Sequence, residues 1–419
     1  MVNIMSKLAI NGGSPVREKP FSQWPIYDDN ENQYLQKALE SRLWCKTAGK
    51  FNDEFEEKFA RFQEVKHALT VCNGTIALRI ALFAAGVSEG DEVIVPSYTF
   101  IATATSVIEA NAVPVFADVE PDSFNISPES IEKLITPRTK AIIPVHFGGA
   151  PANMEKIMQI AKRHNLKVIE DAAQAQGAAY NGKTAGAWGD AGTFSFQLSK
   201  NMTSGEGGAI VTNDDEIAER CWSYHNCGRK PESQWYYHYN MGGNFRLSEF
   251  QAAVLLAQLQ REKDSIALRT KNAKYLDKLL TNTEGVTPIL YPDNVKSSYY
   301  LYILKYNSSV FNNLPKMKFV KAMNAEGIPM LEGYPYPLYK QPVFKNKNFW
   351  AAKPPVNSLL ASSAIDYNKC YDPESEKACE CGLWFPNYLL HGTEKDLEDI
   401  VKAIDKIREN ISELSGDLK

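Results

Sequence analysis

The sequence predicts an α/β protein: a large domain with a mainly parallel central sheet covered by helices on both faces, followed by a smaller α+β domain. Three observations carry this. Between positions of about 70 and 265, short apolar runs rich in Val and Ile alternate with helix-patterned segments. The run ending at Val71 passes through Asn73, Gly74 and Thr75 into a strongly helical stretch at 76–85, the layout of a strand feeding a helix. With 419 residues the chain exceeds what one hydrophobic core usually serves, so a second unit is expected.

Taken in order, the first segment, through Phe21 and Trp24, reads as an arm docked on the surface by its aromatic residues. Helical character follows at 28–41. Phe51, Phe55, Phe59 and Phe62 then fall at helical spacing, which makes them a core stripe. Strands are expected at 68–71, 91–96, 113–119, 141–146, 167–171, 192–196 and 208–212. After the second of these, Thr99 is placed to cap the next helix, and Phe100 stands at the junction, where a lone aromatic residue ordinarily packs into the core. Residues 213–246 read as less regular and dense in aromatic rings, and Ser248 opens a long apolar-periodic helix. Beyond it, 299–306 reads as an alternating strand, 333–339 as a proline-stiffened loop, and Thr393 as the capped start of the last helix.

Composition excludes several classes of function. Lys and Arg number 46 against 50 Asp and Glu, a net charge of −4, which leaves no basic footprint for nucleic acid. No apolar stretch approaches the roughly 18 residues of a membrane span, and the first residues lack a signal-peptide core, so a cytoplasmic enzyme is expected. Seven cysteines without framework spacing read as reduced thiols. Cys370, Cys379 and Cys381 fall short of the four soft ligands of a tetrahedral site, so no metal is expected.

Two stretches carry the chemistry. In 193–212 an apolar strand runs into a polar loop holding one lysine, Lys200, and a glycine-rich turn leads into the next strand. In 168–177 a β-branched run ends at Asp171, placing a carboxylate at the carboxyl end of a buried strand, where ligands of open α/β sheets bind. The free amides at Asn73, Gly74 and Thr75, with the helix dipole behind them, suit an anion. A lone lysine on a turn is ordinarily a surface residue and a strand-glycine-helix junction is ordinarily a plain turn; their joint occurrence in this order is what calls for another explanation.

Together, 168–177 and 193–212 resemble the DegT/StrS family of pyridoxal-phosphate sugar aminotransferases, which have the aspartate-aminotransferase fold (fold type I). The likeness is dense over roughly 20–265 and looser beyond. It implies an arm and large pyridoxal-phosphate-binding α/β domain at 1–265 and a smaller α+β domain at 266–419. It implies that Lys200 bonds the cofactor and moves the proton, and that Asp171 keeps the pyridine nitrogen protonated. Gly74, Thr75 and Ser195 would hold the phosphate, Phe100 would stack on the pyridine, and Gln174 would bond the phenolic oxygen. Asn244 matches an asparagine that reaches the phosphate in the other subunit, which implies a homodimer with shared active sites.

The reaction so implied moves an amino group from glutamate or glutamine to a keto-sugar, free or nucleotide-linked, or to a keto-cyclitol, in amino-sugar or secondary-metabolite biosynthesis. Short pieces at 24–29 and 225–229 resemble the 3-amino-5-hydroxybenzoate synthase and aminocyclitol aminotransferase branch. Gln176 and Tyr339 depart from frequent histidines of the family, which bears on the substrate. The loops at 235–239 and 334–339 offer hydroxyls and rings to an outer cavity and suit a polyhydroxylated ring, whereas a dicarboxylate would call for a bidentate arginine. Arg229 and Arg246 are the residues that would clamp a carboxylate or a diphosphate. Two alternatives share the fold. One is a 3-amino-5-hydroxybenzoate-synthase-like lyase or a sugar dehydratase; the dehydratase branch replaces the lysine by histidine, and Lys200 opposes it. The other is a non-catalytic regulator, opposed by Lys200, Asp171 and Ser195 together.

Overall fold

A computed structural model describes residues 7–349 and 365–414. Seven strands form the central sheet: β1 (His67–Val71), β2 (Glu92–Pro96), β3 (Val113–Ala117), β4 (Thr139–Ile142), β5 (Lys167–Asp171), β6 (Ala191–Ser195) and β7 (Gly208–Thr212). Their order is β1-β7-β6-β5-β4-β2-β3. Neighbours run parallel except around β7, which is antiparallel to both β1 and β6. The cause is local: the chain returns from β6 to β7 through a loop without a crossover helix, and a parallel neighbour needs such a crossover. Every residue of β2, β3, β6 and β7 is buried, as strands covered on both faces must be.

The covering helices are α1 (Asp29–Ser41), α2 (Phe51–Phe62), α3 (Gly74–Ala84), α4 (Ala102–Glu109), α5 (Pro128–Leu134), α6 (Met154–His164), α7 (Asp215–His225) and α8 (Glu249–Leu280). Capping boxes open α1 at Asp28 with Glu31 and α8 at Ser248 with Gln251. The phenylalanine stripe of α2 is core: Phe55 and Phe59 are fully buried, stack at 5.3 Å, and meet Phe194 and Phe196 edge-on. Each such ring contributes about 2–3 kcal/mol by leaving water.

Three local expectations change. The stretch 213–246 begins with a regular helix, α7, which Asp214 caps by accepting from the amides of Glu216 and Ile217, with Ile217 and Cys221 turned inward. Thr99 caps nothing; α4 begins later, behind Ile101, and the Thr99 hydroxyl lies 3.2 Å from that of Thr103. The strand read as alternating, β9 (Leu301–Tyr306), is buried at all positions but Lys305. It is the middle strand between β8 (Val286–Pro288) and β10 (Gly382–Pro386), antiparallel to both, with apolar clusters on its two faces.

Helices α9 (Lys316–Ala325), α10 (Pro373–Cys381) and α11 (Glu394–Glu409) accompany this second sheet. Helix α8, 32 residues long, runs through position 265 and packs on α1 and α2 as well as on α11. The N-terminal arm crosses the molecule. Arg17 pairs with Asp396 at 2.7 Å, Phe21 is buried, and the Trp24 indole donates to the Leu198 carbonyl at 2.7 Å. Among the described residues no helix is long and apolar enough to cross a membrane.

Candidate active site

The carboxyl ends of β5 and β6 and the amino end of α3 surround a cavity of about 640 Å3. At its foot, Asp171 ends β5, where its main-chain amide donates to the Pro144 carbonyl at 2.8 Å. The carboxylate is buried and accepts from the Thr103 hydroxyl at 2.8 Å and the Ala173 amide at 3.2 Å. Burial pushes its pKa up, against the pull of those two donors and of Lys200. An anionic carboxylate left short of positive charge in this way favours a proton-bearing or cationic partner in the cavity.

Beyond β6 the chain doubles back. Phe196 donates to Gly207 at 2.8 Å and Leu198 to Gly205 at 2.9 Å, and Gly205 takes a φ of +81°, which glycine adopts without strain. At the tip, the Lys200 amide closes a turn on Gln197 at 2.9 Å, which projects the side chain over the cavity. Its Nζ lies 4.2 Å from the centroid of the Tyr300 ring, an attractive arrangement for an ammonium. The Tyr300 hydroxyl sits 2.9 Å from Ser199 Oγ.

At the other end, Asn73 caps α3 by accepting from the Ile76 amide at 2.9 Å, and the amides of Gly74 and Thr75 have no intrahelical acceptor. Gly74 approaches Ser195 so closely that a Cβ on it would lie 2.8 Å from the Ser195 Cβ. Only glycine brings these amides beside the Ser195 hydroxyl. Gln176 is fully buried and donates to the Ser195 carbonyl at 2.7 Å, so it braces Ser195 and does not line the cavity. Gln174 accepts from the Gly148 amide at 2.8 Å through Oε1, which leaves its amide nitrogen for the cavity it lines.

Gly74, Thr75, Phe100, Asp171, Gln174, Ser195 and Lys200 all line this one cavity. Phe100 is 56 % exposed and so is not core packing. Asn244 is exposed, forms a bridge with Asn226, and is not among the lining residues. Of the loop at 334–339, Tyr334 lines the cavity, while Tyr339 is buried with its hydroxyl on Glu376 at 2.6 Å. Trp235, Arg229 and Arg246 line a separate cavity of about 470 Å3. Sequence reasoning missed Glu206, within the glycine-rich turn after Lys200, and Tyr300 as lining residues, and Thr103 as the partner of Asp171; Tyr300 and Thr103 are brought in by packing and stand in no local pattern that marks them.

The donor set fits pyridoxal phosphate. A helix amino end with two free amides and a hydroxyl suits a phosphate, a buried carboxylate suits a protonated ring nitrogen, and an exposed aromatic face, an amide donor and an amine lie between them. The gap that only Gly74 permits is the cradle such a phosphate needs.

A family model described as the DegT/DnrJ/EryC1/StrS aminotransferase family matches residues 25–404. The chain is 35% identical over 429 residues to an L-glutamine:2-deoxy-scyllo-inosose aminotransferase of Streptomyces kanamyceticus, covering 98% of this chain and 99% of that protein. It is 36% identical over 386 residues to a GDP-perosamine synthase of Caulobacter vibrioides, covering 91% and 96%. The crystal structure of 3-amino-5-hydroxybenzoic acid synthase matches with a TM-score of 0.81 at 34% identity, over 93% of this chain and 99% of that one.

Proposed function

This chain belongs to the DegT/DnrJ/EryC1/StrS aminotransferase family, and from that premise we propose that it moves an amino group from glutamine or glutamate to a keto-cyclitol or keto-sugar, with pyridoxal phosphate held on Lys200. When bound, this cofactor supplies an electron sink that makes the proton on the amino-bearing carbon removable. Lys200 Nζ, the one amine lining the cavity among the described residues, takes that proton and returns it. The Asp171 carboxylate keeps a proton on the ring nitrogen. Gly74 and Thr75 amides and the Ser195 hydroxyl grip the phosphate, Gln174 Nε2 donates to the ring hydroxyl oxygen, and Phe100 covers one ring face.

The acceptor class rests on one observation: among the described residues of one subunit, no arginine lines this cavity. Its polar lining is mostly hydroxyls and amides, from Thr75, Thr99, Ser199, Tyr300 and Tyr334 among others, and its fixed charges are Asp171, Lys200 and Glu206. Hydroxyls and rings hydrogen-bond and stack a polyhydroxylated ring, while a second carboxylate would lack its fork of donors. The test loads the enzyme with amino groups from glutamine, removes the donor, and follows the visible spectrum as ketones are added. Cyclic keto-polyols are expected to discharge it at least tenfold faster than 2-oxo acids other than the donor's own product, about 1.4 kcal/mol of discrimination. Equal rates for a 2-oxo acid that is not the donor's own product, such as pyruvate, and a keto-polyol would make this an amino-acid aminotransferase.

The active form is a homodimer in which Asn244 serves the site across the interface. Asn244 is exposed, and the neighbouring segment carries Trp235 at 75%, Tyr236 at 76% and Met241 at 91% exposure, apolar surface that a monomer rarely leaves in water. Mixing equal amounts of Lys200→Ala and Asn244→Ala subunits is expected to restore about a quarter of wild-type activity, because half of the dimers are hybrids and each hybrid has one intact site. Full activity of Asn244→Ala alone, or no recovery on mixing with exchange demonstrated, would overturn the shared site.

A further inference from the structure

Behind the Lys200 loop lies a buried polar cluster that touches neither cavity. Its centre is the main-chain carbonyl of Ser298, which accepts from Arg269 Nε at 2.9 Å and from Asn201 Nδ2 at 3.0 Å. Arg269 comes from α8, is fully buried, and pairs with Glu262 at 2.7 Å. Asn201 follows Lys200 in the chain and accepts from Asn387 at 2.8 Å. On the other side, the Ser298 amide is held by the Gly149 carbonyl at 2.9 Å. Two residues on, Tyr300 sets its ring 4.2 Å from Lys200 Nζ. Tyr299, between them, has a φ of +50°, a left-handed conformation that an aromatic residue adopts only when its surroundings impose it.

A buried ion pair is a poor source of stability, since desolvation offsets most of the attraction and apolar replacements are often neutral. What this pair supplies is direction. The Nε and Nη2 edge of a guanidinium is a rigid fork, and here one prong goes to Ser298 and the other to Glu262. Lysine cannot reproduce it.

We propose that Arg269 is a positioning residue for the amino transfer: through the Ser298 carbonyl it ties together the two pieces of chain that bracket Lys200, Asn201 on one side and Tyr300 on the other, and so fixes Nζ over the cavity. The inference rests on the reading of Lys200 as the cofactor lysine. Misplacing a reacting group by about 1 Å costs on the order of a hundredfold in rate.

The test uses the full-length holoenzyme and four readouts: kcat, the KM for glutamine, the visible circular dichroism of the bound cofactor, and Tm. Arg269→Lys is expected to lower kcat by about tenfold to a hundredfold, to leave KM within about threefold, and to weaken the visible dichroism. Asn201→Ala, which removes the other donor to the same carbonyl, is expected to give the same signature. Glu262→Gln keeps an oxygen for Nη2; it is expected to lower Tm while kcat and the dichroic band stay within about twofold. If Arg269→Lys lowers Tm but leaves kcat and the band unmoved, Arg269 is only structural and the proposal fails. If Arg269→Lys does not fold, Asn201→Ala decides by the same two readouts. A wild-type protein whose cofactor is not attached at Lys200 would instead overturn the reading of Lys200, and the clamp with it.

Discussion

Replacing Lys200 by alanine is expected to lower turnover by about 10⁴-fold or more, with the fold intact. Two losses combine: proton transfer by a positioned side chain, worth about 10²–10⁴-fold, and covalent capture of the cofactor. The turn that carries the residue closes through its main-chain amide on Gln197, which alanine keeps. Among the described residues, the side-chain interactions given up are the contact with the Tyr300 ring, on the order of 0.5–1 kcal/mol, and the pull on the buried Asp171 carboxylate, so Tm should move by a few degrees at most. Lys200→Arg separates charge from proton transfer. The guanidinium remains protonated at every accessible pH, so this variant should be as inactive as alanine. Borohydride reduction of the wild type and peptide mapping should place the pyridoxyl mass on Lys200. A pyridoxyl group on any other lysine, or a Lys200→Ala protein within about tenfold of wild type, would falsify the assignment.

Asp171→Asn is expected to cost about 10²–10³-fold in turnover while the cofactor-free protein becomes no less stable. An opposite charge beside a titrating group shifts it by about one to three units, and each unit is about 1.36 kcal/mol, so the ring nitrogen without its carboxylate loses its proton at the working pH. The stability effect follows from the burial that raises the pKa of Asp171 above its ordinary value of 3.8. A carboxyl whose folded-state pKa is raised binds its proton more tightly in the folded protein. Stability therefore falls as pH rises from the unfolded value through the folded one, and the penalty is complete above it. Asparagine removes that penalty and can still be satisfied: its oxygen accepts from the Ala173 amide, and its nitrogen donates to the Thr103 hydroxyl, which turns its proton to Thr99. Melting of the two apoproteins at pH 8 and near pH 4 checks this. The variant should gain on the wild type at the higher pH and lose that advantage at the lower. A variant destabilised equally at both would mean that Asp171 is held by interactions stronger than its desolvation.

By itself the sequence determined the parts whose causes lie within a few residues. Strands show as short β-branched runs, Asn73, Gly74 and Thr75 as the junction where a strand feeds a helix, and Asp171 and Lys200 as polar residues at strand ends. Helix α7 was equally local, with Asp214 as its cap, and was hidden because its single apolar face is thin among charged and aromatic neighbours. Tertiary structure alone decided what joins positions far apart in the chain. It set Thr103 against Asp171, laid Tyr300 beside Lys200, brought Trp24 to Leu198, and turned Tyr339 to Glu376 in the core and away from the cavity. The physical reason is that such contacts are chosen by which strands become neighbours and how side chains fill the space between them, a condition on the whole packed molecule that leaves no periodicity, cap or turn signal in any short window of sequence.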